Sequence, residues 1–314
     1  MKNLQNYGKI ACGVTLVFGL GACSAPEPEP IEPTPGLTAF TSARLIVGNG
    51  DTIESGTMVV RDGRIEAIGS TENVTVPEDA STIDLSGRTV TPGLVNAHGH
   101  VNNVRGLEAD PSFYTEEHVA NQLALYARYG VTTVVSLGGD GPEGIAVRDR
   151  ESNDLTHARL RVAGPVIVAD STEQAVERAN AAADMNVDYI KIRVDDNLGS
   201  SQKMQPDIYK SVIETAHSRG LKLTAHLYYL DDAKELLRSG ADFVAHSVRD
   251  VAVDDELLEL LKVDDTCVCP TLMREVSTFV YEERPDFFDD PFFLRDADPA
   301  VLTALEAPEY QERI

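Results

Sequence analysis

The sequence predicts an α/β protein of the (β/α)₈ barrel class, preceded by a small β domain. Short apolar segments typical of buried strands alternate with stretches of helical composition, and this alternation favours a parallel sheet with helical crossovers. The segments recur about every 20 to 35 residues, which is the length of one βα unit. Seven are recognisable, at residues 93–98, 131–137, 160–168, 187–194, 221–227, 243–246 and 267–272.

The remaining elements follow from helical spacing and turn signals. Helices are predicted over residues 173–183, 207–218 and 232–238, with Asp231 as a plausible N-cap of the third. Residues 37–92 contain short alternating strands, in which Arg61-Asp62-Gly63-Arg64 is a strong hairpin signal between residues 57–60 and 65–68. We therefore expect a β domain over residues 37–92 and the barrel over residues 93–314.

The first 22 residues have the pattern of a secretory signal peptide. Lys2 and Lys9 precede an apolar run that is too short to span a bilayer as a mature helix. The run ends in Leu20-Gly21-Ala22-Cys23, which resembles the lipobox of bacterial lipoproteins and implies cleavage before a lipidated Cys23. The alternative is an ordinary signal peptide with a chance cysteine. Ser24, in the second position, resembles lipoproteins sent to the outer membrane of Gram-negative bacteria.

Residues 23–36 are expected to tether the lipidated cysteine to the fold. Proline alternates with acidic residues in this stretch, and such a composition favours an extended, semi-rigid spacer. The sequence thus predicts an exported outer-membrane lipoprotein that faces the periplasm and contacts the membrane through Cys23.

Composition restricts the partners and the disulfide chemistry. With 27 basic and 51 acidic residues the formal net charge is −24, so nucleic acid is not expected as a partner. Because Cys12 would leave with the signal peptide and Cys23 would carry lipid, no disulfide framework is expected. Cys267 and Cys269 are interpreted as small apolar residues of a buried strand. The expected partner is a small-molecule substrate, and a homo-oligomer is left open.

Candidate metal ligands stand near the ends of several predicted strands. His98 and His100 are two residues apart, so a strand would place both imidazoles on one face, although this pattern alone is weak. His226 and His246 end two later strands. Because a barrel gathers the C-terminal ends of its strands at one mouth, these four side chains are expected to converge.

Lys191 is the sharper signal, because it interrupts an apolar strand and lysine is almost never buried without compensation. One form of compensation is an ion pair with a nearby carboxylate. The other is carboxylation by carbon dioxide, which gives a carbamate able to bridge two divalent cations. Burial lowers the pKa of a lysine and supplies the neutral amine that carboxylation needs.

Residues 91–100, with the sequence Thr-Pro-Gly-Leu-Val-Asn-Ala-His-Gly-His, together with Lys191, His226 and His246, resemble the amidohydrolase superfamily. The resemblance covers the chain from residue 37 onward. It is nearest to the imidazolonepropionase-like and Xaa-Pro dipeptidase-like group, which builds a β-sandwich from both ends of the chain around a metal-bearing barrel. A β-sandwich portion is therefore expected in the N-terminal domain.

The family pattern also implies a ligand set. His98 and His100 would hold the more buried ion, His226 and His246 the more exposed one, and carboxylated Lys191 would bridge them. Imidazolonepropionases proper use one ion and lack this lysine, which favours the two-metal, peptidase-like branch. Two divalent ions, with zinc as the first candidate, would generate hydroxide from water and polarise the carbonyl of an amide or dipeptide C–N bond.

Two further residues are candidates for binding the substrate. Arg193 and Tyr228 each lie two positions beyond a predicted ligand, on the same strand face, where they could hold a substrate carboxylate. The alternative is that inward-facing polar residues of barrel strands satisfy each other.

One family feature has no counterpart in the sequence. The family places a metal-binding, proton-shuttling aspartate at the end of the eighth strand, and no aspartate after Leu272 ends an apolar β run. We therefore expect a C-terminally truncated chain, with the last barrel strand and the returning sandwich strands beyond Ile314. Two other functions stay open: a catalytically inactive, metal-binding envelope lipoprotein, and a lactonase or phosphotriesterase that uses the same kind of two-metal site.

Overall fold

The computed structural model describes residues 36–150, 156–263, 266–277 and 279–312. The predicted signal peptide, Cys23 and the tether up to residue 35 lie outside the described residues. Across these ranges no helix is both long and apolar enough to cross a membrane. The described residues form two compact units, one of residues 36–45 and 52–89 and the other of residues 46–51 and 90–312.

The first unit is built on a five-stranded sheet. Its strands are β1 (Leu37–Ile46), β2 (Thr52–Arg61), β3 (Arg64–Ser70), β4 (Ser81–Asp84) and β5 (Thr89–Val90). They follow the order β3-β2-β1-β4, and β5 pairs with β1. Asp62 and Gly63 turn the β2–β3 hairpin with φ of 49° and 76°, as a type I′ turn requires, so the predicted hairpin is confirmed. The sandwich portion over residues 37–92 stays a prediction.

The second unit is a parallel α/β structure. Its main strands are β6 (Leu94–Gly99), β9 (Val131–Ser136), β10 (Arg159–Val162), β11 (Val166–Ile167), β12 (Tyr189–Arg193), β13 (Lys222–His226), β14 (Phe243–Ala245) and β15 (Cys267–Cys269), and β7 (Val104–Arg105) pairs with β8 (Glu108–Ala109) in a small ribbon. One sheet has the order β10-β9-β6 and the other runs β11-β12-β13-β14-β15, with parallel pairing throughout. The predicted α/β fold class is confirmed.

The predicted single strand over residues 160–168 is wrong at its centre, because it is interrupted between β10 and β11. The buried carboxylate of Asp140 accepts hydrogen bonds from the backbone N–H groups of Ala163 and Gly164, at 3.0 and 3.2 Å. Gly164 has φ of 67°, which favours glycine. The two halves of the predicted strand therefore belong to different sheets, in which β10 pairs with β9 and β11 pairs with β12.

Helices connect the strands of this unit. They are α1 (Glu116–Arg128), α2 (Pro142–Asp149), α3 (Thr172–Asp184), α4 (Pro206–Ser218), α5 (Leu230–Arg238), α6 (Asp255–Val263), α7 (Leu272–Val276), α8 (Pro291–Leu294), α9 (Pro299–Leu305) and α10 (Pro308–Gln311), with 3₁₀ turns at Pro111–Phe113 and Asp286–Asp289. The three helices predicted from spacing are confirmed within two residues at each end. The strand predicted over residues 267–272 is too long, since β15 ends at Cys269 and Leu272 begins a helix.

The predicted N-cap of α5 is also wrong. Asp231 lies inside the first turn, and the helix begins at Leu230 after Tyr229, whose side chain makes no capping bond. The carboxylate of Asp250, distant in sequence, accepts from the Leu230 N–H at 3.0 Å and takes the capping role. Asp231 still lies where the positive end of the helix dipole favours an acid.

Strand β12 separates two apolar layers. Ile190 and Ile192 are fully buried in the large core shared with the helices, whereas Tyr189 packs on a smaller cluster around Leu137 and Ala245. Because successive strand side chains point to opposite faces, Lys191 lies on the side of Tyr189. The strand thus turns its lysine away from the helices and toward the site described next.

Candidate metal centre

All five predicted metal-site residues line one cavity of about 770 Å³, namely His98, His100, Lys191, His226 and His246. Arg193 lines it as well, together with Asn96, Leu137, Val166, Cys269, Thr271, Met273 and Arg274. The centroids of the His98 ring and the His100 ring are 5.3 Å apart, those of His98 and His246 are 4.6 Å apart, and those of His226 and His246 are 4.3 Å apart. The four imidazoles therefore form a continuous group.

Parallel strand register explains this convergence. Lys191 is level with Thr224, and Arg193 is level with His226, on the adjacent strands β12 and β13. His246 follows the last residue of β14, which is itself the neighbour of β13. Carboxyl ends of parallel strands share one edge of a sheet, so side chains far apart in sequence meet there.

The protein fixes the orientation of two of the imidazoles through Nδ1. His100 Nδ1 lies 3.0 Å from the Gly138 carbonyl oxygen, and since a carbonyl can only accept, Nδ1 carries the proton and leaves the Nε2 lone pair free. His246 Nδ1 lies 2.6 Å from the Thr271 hydroxyl. Bonds of this kind from the second ring nitrogen are the usual way in which proteins hold metal-binding histidines.

His226 is held by a carboxylate instead. Its Nε2 lies 2.9 Å from Oδ2 of Asp195, which is only 6% exposed and follows β12. The second oxygen, Oδ1, is 3.9 Å from Arg193 Nε and accepts from the Asn197 N–H at 3.4 Å. Asp195 thus joins the imidazole of one strand to the guanidinium of the next.

Lys191 has no hydrogen-bond partner in the described part of the chain. Its side chain is 3% exposed and its Nζ is fully buried. Burial lowers the pKa of Lys191 to about 7, against an ordinary value of 10.5. A substantial share of the amine is therefore neutral near neutral pH. The ion pair considered as compensation from the sequence is not found among the described residues.

The same environment keeps the histidines neutral. Burial, followed by the charge of Lys191, lowers the pKa of His98 to about 3, and burial also lowers the pKa of His100. The pKa falls to about 4 for His226 and to about 2 for His246, where burial is again the largest cause. Neutral imidazoles retain the lone pair with which they ligate metals.

The chemistry of these residues fits a site for divalent metal ions. His98 Nδ1 and Lys191 Nζ are buried polar atoms without hydrogen-bond partners among the described residues, in a cavity lined by neutral imidazoles. Within the described ranges, no three His, Cys, Asp or Glu side chains lie close enough to hold one ion. An ion held here would therefore need a donor in addition to these imidazoles.

Unusual backbone conformations cluster at this cavity. His246 and Thr271 have φ of 76° and 49°, which non-glycine residues adopt at a cost and which often mark functional sites. Gly138 has φ of 117°, and a Cβ there would lie 2.4 Å from Val166 Cγ2 and 3.7 Å from Lys191 Cγ. Glycine at this position therefore lets the backbone pass close to the Val166 side chain.

Tyr228, predicted to bind substrate, is not among the residues that line the cavity. Its ring centroid lies 5.0 Å from that of Tyr229, and the guanidinium carbon of Arg249 lies 4.8 Å above it. Arg193 does line the cavity, and its buried Nε has no hydrogen-bond partner among the described atoms. Of the two residues, Arg193 is the one that the fold brings to the site.

Several site residues escaped prediction from the sequence. Asp195 could have been found, because it follows Lys191 and Arg193 at the two-residue spacing of a strand face. Thr271 gave no such signal, since it is brought to His246 by a tertiary contact. The interpretation of Cys267 as a buried apolar residue is wrong, because it is exposed, whereas Cys269 is half-buried in the cavity wall.

Four aspartates that follow Leu272 in the sequence bond to groups outside the cavity. Asp290 and Asp298 accept from backbone N–H groups at the starts of α8 and α9. Asp289 pairs with Arg284 at 2.6 Å, and Asp296 pairs with two arginines. None of these four lines the cavity.

The chain is similar in sequence to several curated bacterial proteins. No protein-family profile matches the chain. An uncharacterized protein of Mycobacterium tuberculosis is 29% identical over 222 residues, which are 68% of this chain and 56% of that protein. The enamidase of Eubacterium barkeri is 28% identical over 188 residues, which are 55% of this chain and 45% of the enzyme. The chain spans about half the length of these curated relatives.

Solved structures agree in fold. An amidohydrolase superposes with a TM-score of 0.66 at 20% identity, covering 88% of this chain and 76% of that structure. In sequence and in fold, the chain is therefore similar to proteins of the amidohydrolase superfamily. A Xaa-Pro dipeptidase with bound methionine gives a TM-score of 0.67 at 21% identity and covers 86% of this chain and 73% of its own. The family resemblance seen in residues 91–100 is thereby confirmed.

Proposed function

We propose that this protein is an amidohydrolase that cleaves a C–N bond of a small amide or dipeptide at a binuclear centre bridged by carboxylated Lys191. The convergence of His98, His100, Lys191, His226 and His246 on one cavity is the observation that carries the proposal. Support also comes from the similarity to an enamidase in sequence and to a Xaa-Pro dipeptidase in fold.

Lys191 is suited to carboxylation. A neutral amine nitrogen attacks the carbon of carbon dioxide, a C–N bond forms, and one proton is released as the carbamate appears. The pKa of the buried Nζ is lowered to about 7, so the amine is partly neutral near neutral pH. Among the described residues, no hydrogen-bond partner occupies this nitrogen. The carbamate restores a charge to the site, and this charge is compensated only if cations bind beside it.

In this proposal the histidines act as two pairs of ligands around Lys191. His98 and His100 would hold one divalent ion, His226 and His246 would hold the other, and the two carbamate oxygens would bridge them. Zinc suits neutral imidazole and carboxylate-type oxygen donors, and is our first candidate. When bound, such ions lower the pKa of water and polarise a carbonyl oxygen.

Arg193 is placed to select the substrate. Arg193 lines the cavity, its Nε has no hydrogen-bond partner within the described part of the chain, and this nitrogen lies 3.9 Å from Asp195 Oδ1. A planar guanidinium binds a carboxylate through two parallel hydrogen bonds. We therefore propose substrates with a free carboxylate beside the scissile amide, such as dipeptides or N-acyl amino acids.

The test compares Lys191→Ala with Lys222→Ala, an exposed lysine on the neighbouring strand. Loss of the bridge should lower hydrolysis of N-acyl amino acids by more than about 100-fold, because even loss of an outer partner of a metal ligand costs 10- to 100-fold. Short carboxylic acids should restore part of the activity by replacing the carbamate. A Lys191→Ala protein as active as Lys222→Ala would reject the proposal.

A further inference from the structure

We propose that Asp195 is a positioning residue that fixes His226 with Nδ1 toward the metal, and this inference rests on the proposed function. Asp195 is 6% exposed and its Oδ2 lies 2.9 Å from His226 Nε2. It is the carboxylate that contacts a cavity-lining imidazole among the described residues.

The hydrogen bond to Asp195 determines which nitrogen of the His226 ring carries the proton. An ionised carboxylate only accepts, so the proton of the neutral imidazole must lie on Nε2. The remaining nitrogen, Nδ1, then carries the lone pair available to a metal.

The geometry around Asp195 keeps the carboxylate in place. The Asn197 N–H donates to its Oδ1 at 3.4 Å, and Arg193 Nε lies 3.9 Å from the same oxygen. Because Arg193 is level with His226 in the β12–β13 pair, the carboxylate two residues later reaches across to the imidazole. Rotation of the His226 ring would break the bond to a buried acceptor, which is costly.

Asp195 also makes the two proposed ion positions unequal. His100 is held by the neutral Gly138 carbonyl and His246 by the Thr271 hydroxyl, whereas His226 is held by an anion. Hydrogen bonding to a carboxylate raises the basicity of a metal-binding imidazole. Removal of Asp195 should therefore weaken the ion held by His226 and His246 and spare the ion held by His98 and His100.

The experiment titrates the metal-free, full-length protein with Zn²⁺ against a competing chelator in bicarbonate buffer. In Asp195→Ala, one of the two dissociation constants should rise about 10- to 100-fold while the other is unchanged. Asp195→Glu should recover part of the loss. Asp196→Ala is the matched control, because Asp196 is the adjacent acid but bonds to the Tyr229 hydroxyl at 2.8 Å, and both of its constants should equal those of the wild type.

A second readout does not need metal. Nitrogen NMR of histidine-labelled, metal-free protein should show His226 with its proton on Nε2 in the wild type and a mixture of tautomers in Asp195→Ala. Asp195→Asn preserves the size of the side chain and should give an intermediate result if the alanine variant misfolds.

The outcomes separate the two proposals. A wild type that binds two ions, with Asp195 variants that keep both affinities and the same tautomer, would overturn the positioning role and leave the proposed function standing. A wild type that binds no divalent ion would overturn the proposed function and this inference with it.

Discussion

Lys191 shows at the scale of a single residue how burial and chemistry are linked. Burial is the largest cause of its low pKa, so the charged form is disfavoured in the folded state. The folded pKa lies below the ordinary value, and the unfolded chain therefore holds more protons between about pH 7 and pH 10.5. Stability of the metal-free protein should rise with pH across this window.

This linkage predicts that Lys191→Met stabilises the metal-free protein at pH 6. Methionine preserves the length of the stem and removes the desolvation cost of a buried ammonium, which should be worth roughly 1 kcal/mol or more. Urea denaturation in the presence of chelator measures the gain, which should shrink as the pH rises toward 10. Lys222→Met, at an exposed position, should show no such trend, and equal behaviour of the two variants would contradict the role of burial.

Arg193 gives a second prediction at the same scale. Arg193→Ala should lower kcat/KM for N-acyl amino acids by roughly 10- to 100-fold, because a hydrogen bond to a charged group is worth about 1.5 to 3 kcal/mol. The corresponding amides, which lack the carboxylate, should be affected much less. Steady-state kinetics on matched acids and amides measure both effects. An equal loss of kcat/KM on acids and amides would mean that Arg193 does not recognise the carboxylate.

Single residues also show where prediction from sequence succeeds and fails. Lys191 stands out because a charge inside an apolar strand contradicts its local pattern, and the structure places it in the cavity. Thr271 and Gly138 contact the site through bonds to histidines far away in the sequence, and no local pattern encodes such contacts. Asp195 could have been predicted from the sequence, because it lies two residues beyond Arg193 and so continues the strand face that carries Lys191 and Arg193.

At the scale of secondary-structure elements, local periodicity predicted the strands and helices to within a few residues. Two of the errors occur where a carboxylate distant in sequence bonds to the backbone. Asp140 accepts from the N–H groups of residues 163 and 164 at the point where the predicted strand is interrupted, and Asp250 caps a helix for which Asp231 was the local candidate. Such contacts depend on the folded chain, so neighbouring residues give no signal of them.

The strand interruption can be tested through Asp140. Asp140→Ala should destabilise the protein by about 1 to 3 kcal/mol, because two buried backbone N–H groups lose their side-chain acceptor. Asp170→Ala, which removes an exposed acid, serves as the control. Chemical denaturation measures both changes. If the two variants are equally stable, the carboxylate does not maintain the break between β10 and β11.

At the scale of the whole molecule, we propose that the protein is anchored in the outer membrane through a lipid on Cys23. Cys23→Ser should abolish lipidation and leave the protein unprocessed or soluble in the periplasm. The lipid would be attached through a thioether, and serine has no sulfur atom to form one. Metabolic labelling with fatty acid and membrane fractionation measure this. A variant that fractionates with the outer membrane as the wild type does would place the anchor elsewhere.

The central claim is that Lys191, as a carbamate, bridges two divalent ions held by His98, His100, His226 and His246. The most direct test is to count metal ions per chain by mass spectrometry in full-length protein prepared with excess zinc and bicarbonate. Two ions per wild-type chain are expected, with fewer in Lys191→Ala and in protein prepared without carbon dioxide. A wild type that holds a single ion, or a Lys191→Ala protein that keeps two, would contradict the account.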